Sequence, residues 1–150
     1  MTTTMIIGVG NSYRSDDGVG LIIARQLKQS LGDGVTVLEQ SGEGATLLES
    51  WRDAQSVIII DAAKSGAAAG TIHRFDASQK SLPGGFLNYS THAFAVAEAI
   101  ELARALGRLP PRVVVYGIEG KCFTAGTDLS EEVRSAACEA VKRIQAETLS

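Results

Sequence analysis

The sequence predicts an α/β fold. It is a three-layer sandwich whose twisted, mostly parallel five-stranded sheet has one antiparallel edge strand and helices on both faces. Three observations predict it. Short apolar runs alternate with helix-period segments along almost the whole chain, the order of a sheet wound with crossover helices. The run Val57-Ile58-Ile59-Ile60 is apolar on both faces, as a central strand covered on both sides must be. Thr71-Ile-His-Arg-Phe-Asp76 alternates instead, which suits a half-exposed edge. At 150 residues, 45% of them hydrophobic and 21% charged, the chain reads as a single domain over 1–150. Such a domain buries about 70% of its unfolded surface and needs no staples.

The elements follow in order. Thr4–Val9 is a buried strand that ends in Gly-Val-Gly, a tight loop. Asp17–Leu31 is predicted as a helix: Val19, Ile22, Ile23, Leu27 and Leu31 recur at spacings of three and four, and Gly32 stops it. Val35–Leu38 is a second strand, and a glycine-rich loop leads to a short helix over Ala45–Trp51. Ser56–Ile60 is the third strand. Residues 77–89, with Ser, Pro and Gly, read as a loop. Ser90 or Thr91 caps a long helix that runs to Leu106 and ends at Gly107, before Pro110-Pro111. Arg112–Gly117 is another strand. Ser130 caps the last helix, with Glu131 and Glu132 at the positive end of its dipole. Its buried stripe is Leu129, Val133, Ala136, Ala137, Ala140, Val141 and Ile144.

Composition excludes several classes. The formal charge is −3, from 14 basic and 17 acidic residues, without the basic excess of a nucleic-acid binder. Two cysteines, Cys122 and Cys138, make no framework and no CxxC, which suits a reducing compartment. No segment reads as a signal peptide or a membrane span. A cytoplasmic monomer is expected. Only His73 and His92 are available for imidazole chemistry.

Right-handed crossovers give the strand order 2-1-3, with a switch point between strands one and three. Ligands of such sheets bind outside the carboxyl ends of the strands at that crevice. The loop Gly8–Gly20 brings Asp16 and Asp17 there, and the end of strand three brings Asp61. A dinucleotide fingerprint fails, because Tyr13 stands where its third glycine belongs. The two aspartates also repel a pyrophosphate at the helix start. A P-loop fails as well: Gly120-Lys121 is followed by Cys122. Carboxylates at a crevice suit a cation, and a transition metal wants an imidazole as well. His92, in the first turn of the third helix, faces the same rim. Oxygen and nitrogen donors suit nickel or zinc without choosing between them. The plainer reading stands beside this one. An aspartate at a helix start is most often a cap, and one that ends a strand is commonly a turn residue.

At these residues the chain resembles the hydrogenase maturation proteases. The resemblance is carried by Gly8-Val-Gly-Asn11, Asp16-Asp17-Gly18, Ile58-Ile-Ile-Asp61-Ala and Ser90-Thr-His92. The late segments Tyr116-Gly-Ile and Leu129-Ser-Glu-Glu-Val133 continue it. It implies an endopeptidase that trims a C-terminal extension from the precursor of the nickel–iron hydrogenase large subunit after nickel insertion. It also implies metal ligation by Asp17, Asp61 and His92, which would be the catalytic set. Nickel would be recognised in the precursor, and another divalent metal can take the site. The mechanism would be of aspartic or metal-dependent type, with the attacking water activated by metal or by a carboxylate such as Asp16. Asn11 and Asp16 match flanking motif positions with loop-shaping roles. Many relatives carry Asp-Gly-Gly-Thr after strand two, a segment implicated in substrate choice. This chain has Glu39-Gln-Ser41-Gly42-Glu43-Gly44, which implies altered partner choice.

No Ser-His-Asp or Cys-His nucleophile is evident. Cys138 is expected on the buried side of the last helix, Cys122 in a loop near the crevice, and His73 in a structural or exposed position. The competing readings are a flavodoxin-like maturation chaperone that binds metal or a peptide tail without cutting it, and a nucleotide-binding enzyme.

Overall fold

The computed structural model describes residues 4–82 and 95–149. In chain order the elements are β1 (Thr4–Val9), α1 (Val19–Leu31), β2 (Thr36–Gln40), α2 (Gly44–Ser50) and β3 (Ser56–Ala63). They continue with β4 (Ile72–Asp76), α3 (Val96–Ala105), β5 (Arg112–Glu119) and α4 (Glu131–Leu149). The sheet order is β2-β1-β3-β5-β4. The pairs β1–β2, β1–β3 and β3–β5 are parallel, and β4 joins β5 antiparallel at the edge.

Strand periodicity divides the core. Ile58 and Ile60 of β3 pack with Ile6, Val114, Tyr116 and Ile118 against α1 and α4. Val57 and Ile59 face the other way, with Ile7, Val113 and Val115, against α2 and α3. Successive side chains of a strand point to opposite faces, so a run that is apolar at every position is what a doubly covered strand requires. Each of these fully buried side chains contributes about 1.5–3 kcal/mol. α1 lies unusually close to the sheet. A Cβ on Gly20 would collide with the carbonyls of Ile60 and Val9, and one on Gly8 with the Gly20 carbonyl.

Four sequence expectations are corrected. The first helix starts at Val19 rather than Asp17, because Ser15–Gly18 forms a separate 3-10 turn. The third strand runs past Ile60 to Ala63, because Asp61, Ala62 and Ala63 find partners in Gly117, Ile118 and Glu119 of β5. α3 begins at Val96 after Ala95, whose amide is capped by Glu98 (3.2 Å), later than the start expected at Ser90 or Thr91 with His92 in the first turn. Those three residues lie outside the described ones. Cys138 is exposed: the stripe Val133, Ala136, Ala137, Ala140, Val141 and Ile144 is buried as expected, and position 138 falls off it.

The carboxyl edge is assembled by topology. β4 runs against β5, so Asp76 ends beside Val114, toward the amino edge. α3 precedes β5 and must therefore run from the carboxyl edge back down. Val96 thus starts at the edge where β1 and β3 end. No helix among the described residues is long and apolar enough to cross a membrane.

Candidate functional site

The β1–α1 loop is shaped from its own backbone outward. The Asn11 side chain accepts from the Tyr13 amide (2.9 Å), and the Asn11 amide donates to the Asp17 carbonyl (3.2 Å). Ser15 holds φ at +54°, the left-handed region that a residue with a side chain visits only when its surroundings enforce it. Those surroundings are visible. The Ser15 amide donates to the Gly126 carbonyl and its hydroxyl to the Thr124 carbonyl, both at 2.8 Å.

This bend sends the two neighbouring aspartates in different directions. Asp16 has no exposed surface. One of its oxygens accepts from the Ser130 amide (2.7 Å). The other accepts from the amides of Lys121 (2.8 Å) and Cys122 (2.9 Å) and from the Ser130 hydroxyl (2.8 Å). Burial alone would raise its carboxyl. The hydrogen bonds from Ser130, Cys122 and Lys121 outweigh that and leave it below its ordinary value. Asp16 is therefore a fixed anion that binds the β5–α4 loop to the β1–α1 loop. With its oxygens committed and out of contact with water, it is not the group that activates a nucleophile, which corrects that expectation.

Asp17 turns toward the crevice. Burial pushes its carboxyl up to about 6, against the pull of the Arg14 guanidinium and the Asn11 amide. Asp61 continues the Val57–Ile59 row of β3 and pairs with Gly117, so it stands on the α3 side of the sheet. It accepts from the neighbouring Ala62 amide (2.8 Å). Burial, followed by the charge of Asp17, holds the Asp61 carboxyl well above the ordinary carboxylate range. Neither Asp16 nor Asp17 caps α1, whose N-cap is Gly18 with no side-chain cap bond, so helix capping does not account for these two aspartates.

The structure thus brings Asp17 and Asp61 together and moves Asp16 away from them. Two neighbouring carboxyls that repel one another, Asp17 buried and Asp61 half-buried, are what a cation would relieve, and their oxygen donors suit a divalent ion. Among the described residues no group of three or more His, Cys, Asp and Glu side chains is set to hold a metal. The third expected ligand, His92, lies outside those residues.

The segment after β2 is organised locally. Glu39 pairs with Arg25 at 2.8 Å. Glu43 caps α2, accepting from the amides of Ala45 and Thr46 at 3.0 Å. Gly42 takes φ +94°, and a Cβ there would press on Val9. Ser41 is exposed, while Gly42 and Gly44 are buried. Because Gly10 donates to the Gln40 carbonyl (3.0 Å), this segment borders the β1–α1 loop.

Sequence reasoning missed a second polar cluster. Glu119, 2% exposed, accepts from the Ser65 amide (2.8 Å), the Ser65 hydroxyl (2.6 Å) and the Gly66 amide (3.3 Å), and lies 3.0 Å from His73 Nε2. The serine hydroxyl meets the carboxylate and not the imidazole, so this is not a hydrolase triad. It ties the β3–β4 loop to β5. Its residues are scattered over 54 positions, and no local motif announces them.

Comparison with known proteins agrees with the geometry. The chain is 28% identical to the [NiFe] hydrogenase maturation protease HybD from Thermococcus kodakarensis, over 99% of each chain, with a TM-score of 0.78. It shares its fold with the hydrogenase maturating endopeptidase HybD from Escherichia coli, with a TM-score of 0.84 at 24% identity over 97% of this chain and 91% of the other. The hydrogenase expression/formation protein HupD of Thiocapsa roseopersicina is 25% identical over 117 residues, 77% of this chain and 53% of that protein. The chain spans about half to two thirds of the length of the first such curated relatives. A family model described as HycI, hydrogenase maturation protease, matches residues 22–147. With most of its length under that model, and with the fold to match, the chain belongs to the hydrogenase maturation protease family.

Proposed function

We propose that this chain is an endopeptidase that removes a C-terminal extension from the precursor of a nickel–iron hydrogenase large subunit, after nickel has been inserted. The observation that carries the reading is the pairing at the crevice of buried Asp17 with half-buried Asp61, in a chain of this family. Nickel enters as part of the substrate. Asp17 and Asp61 would hold it, together with His92, which the family resemblance supplies. A cation there would polarise the scissile carbonyl and favour attack by water. Hydrolysis adds water across the peptide bond: the carbonyl carbon gains a hydroxyl, the C–N bond breaks, and the leaving amine takes a proton. The chain's own contribution is to fix the two carboxylates. Asp16 anchors the loop that carries Asp17, and β3 pairing holds Asp61 in register. We place the reaction in the cytoplasm. The departure at Ser41, Gly42, Glu43 and Gly44 bears on which precursor is accepted.

The test is incubation with nickel-loaded and nickel-free precursor, read by mass spectrometry of the precursor's C-terminus. Cleavage of the loaded form alone is expected. Equal cleavage of both would remove nickel recognition from the proposal. An intact C-terminus in a panel of loaded precursors would leave the chaperone reading instead.

A further inference from the structure

Beside the carboxylate pair the carboxyl edge opens into a pocket of about 660 Å³, lined by Arg14, Lys64, Lys121, Cys122, Phe123 and Thr124 among others. Its position follows from the strands. β3 ends at Ala63, next to Lys64, and β5 ends at Glu119, two residues before Lys121. Arg14 stands on the β1–α1 loop, where its Nε donates to the Phe123 carbonyl (3.4 Å) and its charge acts on Asp17. One wall of the pocket is therefore continuous with the candidate site. Phe123 forms a buried floor, with Lys64 Nζ 5.8 Å from its ring centroid. Lys121 Nζ is held 2.9 Å from Glu132. No acidic side chain lines the pocket among the described residues. The edge thus carries opposite signs side by side: two carboxylates in the crevice and three cationic side chains around the adjoining pocket.

We infer that this pocket is a carboxylate-accepting subsite for the substrate segment next to the cleaved bond. This inference rests on the proteolytic reading above and names a specificity feature of the same site. Cationic walls on a hollow of this size concentrate an anionic ligand and fix its register, and the apolar floor accepts the aliphatic stem of an acidic side chain. The carboxylate comes either from acidic side chains of the tail or from the terminal carboxylate of the extension.

The test uses nickel-loaded precursor in three forms. One has a tail with three added glutamates. A second has every tail Asp and Glu changed to Asn and Gln. The third is that neutral tail lengthened by ten Gly/Ser residues. The enzymes are wild type, Lys64→Gln/Lys121→Gln and Lys64→Glu/Lys121→Glu. The Gln pair should raise KM for the acidic tail about fivefold, within the range expected for two exposed charge contacts, and leave kcat unchanged. On the neutral tail of native length it should leave both constants unchanged if side chains supply the carboxylate. If the terminal carboxylate supplies it, KM should rise there too, and lengthening the tail should abolish that sensitivity. The Glu pair should disfavour the acidic tail relative to the neutral tail of native length, a reversal that a merely structural role would not produce. An equal KM change on all three tails, or no change on any, would overturn the inference. If wild type cleaves no precursor, the proteolytic reading fails on its own. The pocket is then tested by anisotropy of a labelled tri-glutamate peptide, where equal binding by wild type and the Gln pair would overturn it.

Discussion

Replacing Asp16 separates a structural anion from its neighbour in the candidate site, and the cost can be worked from the contacts. In Asp16→Ala the backbone amides of Lys121, Cys122 and Ser130 lose their acceptor, while the Ser130 hydroxyl can rotate to a new one. A buried donor left without a partner costs about 1–3 kcal/mol. Water can enter a loop junction, so the lower end applies to each of the three amides, a total of about 3 kcal/mol. Asp16→Asn keeps one carbonyl oxygen for the Lys121 and Cys122 amides but turns an NH₂ toward the Ser130 amide, and costs about half as much. With a urea slope of about 2 kcal/mol/M for a domain of this size, the unfolding midpoint should fall by about 1.5 M in the alanine variant at unchanged slope. The pH sign is fixed by the direction of the shift. The folded carboxyl lies below its ordinary value, so its stabilisation is complete above the unfolded value of about 3.9 and is lost as pH falls through the folded one. The gap between wild type and Asp16→Asn should therefore narrow in acid. An alanine variant within 0.3 M of wild type (about 0.6 kcal/mol), or an asparagine variant as costly as alanine, would refute this account of the loop junction.

Asp61→Asn and His92→Ala should each abolish precursor processing without unfolding the chain. The asparagine variant should be at least as stable as wild type by thermal melting, because it removes a carboxyl whose ionisation is opposed by burial and by Asp17. Glu119→Gln should lower stability by about 2 kcal/mol in denaturant titration, since it weakens the charge-assisted bonds that join Ser65, Gly66 and His73 to β5. Gly10→Ala places a Cβ against the Asp17 carbonyl at φ +155°. Processing should fall at least tenfold (about 1.4 kcal/mol) in an assay at 15 °C, where the folded fraction remains high.

What the sequence disclosed and what it hid divide along a physical line. The sheet order at β2-β1-β3 and the edge position of β4 were legible, because they follow from hydrophobic period and crossover handedness, which local stretches carry. The start of α3 was not. Ser90 and Thr91 are good caps by type, but Glu98 closes back on Ala95 five residues later. The exposed face of Cys138 was misread because alanines surround it, and a stripe of small residues has weak phase. At the crevice, Asp17 and Asp61 were reachable from topology. The partners of Asp16 were not: Ser130 is 114 residues away, and a contact over that separation leaves no mark on the residues between.

The adjacent pair Asp16-Asp17 shows how far residue identity underdetermines role. The two side chains are chemically identical and one bond apart in the chain. Asp16 meets four donors and remains a buried anion. Asp17 meets the Asn11 amide and the distant pull of Arg14, and burial wins. The difference originates in Ser15, whose positive φ turns the chain between the β5–α4 loop and the crevice. The strain at that residue is offset by the bonds that Gly126 and Thr124 provide, and those come from the same loop that Asp16 secures. Anchor and crevice carboxylate therefore form one unit. The loop can hold Asp17 in an electrostatically unfavourable place because its neighbour is so well satisfied, and that unfavourable place is what a cation in the crevice would relieve.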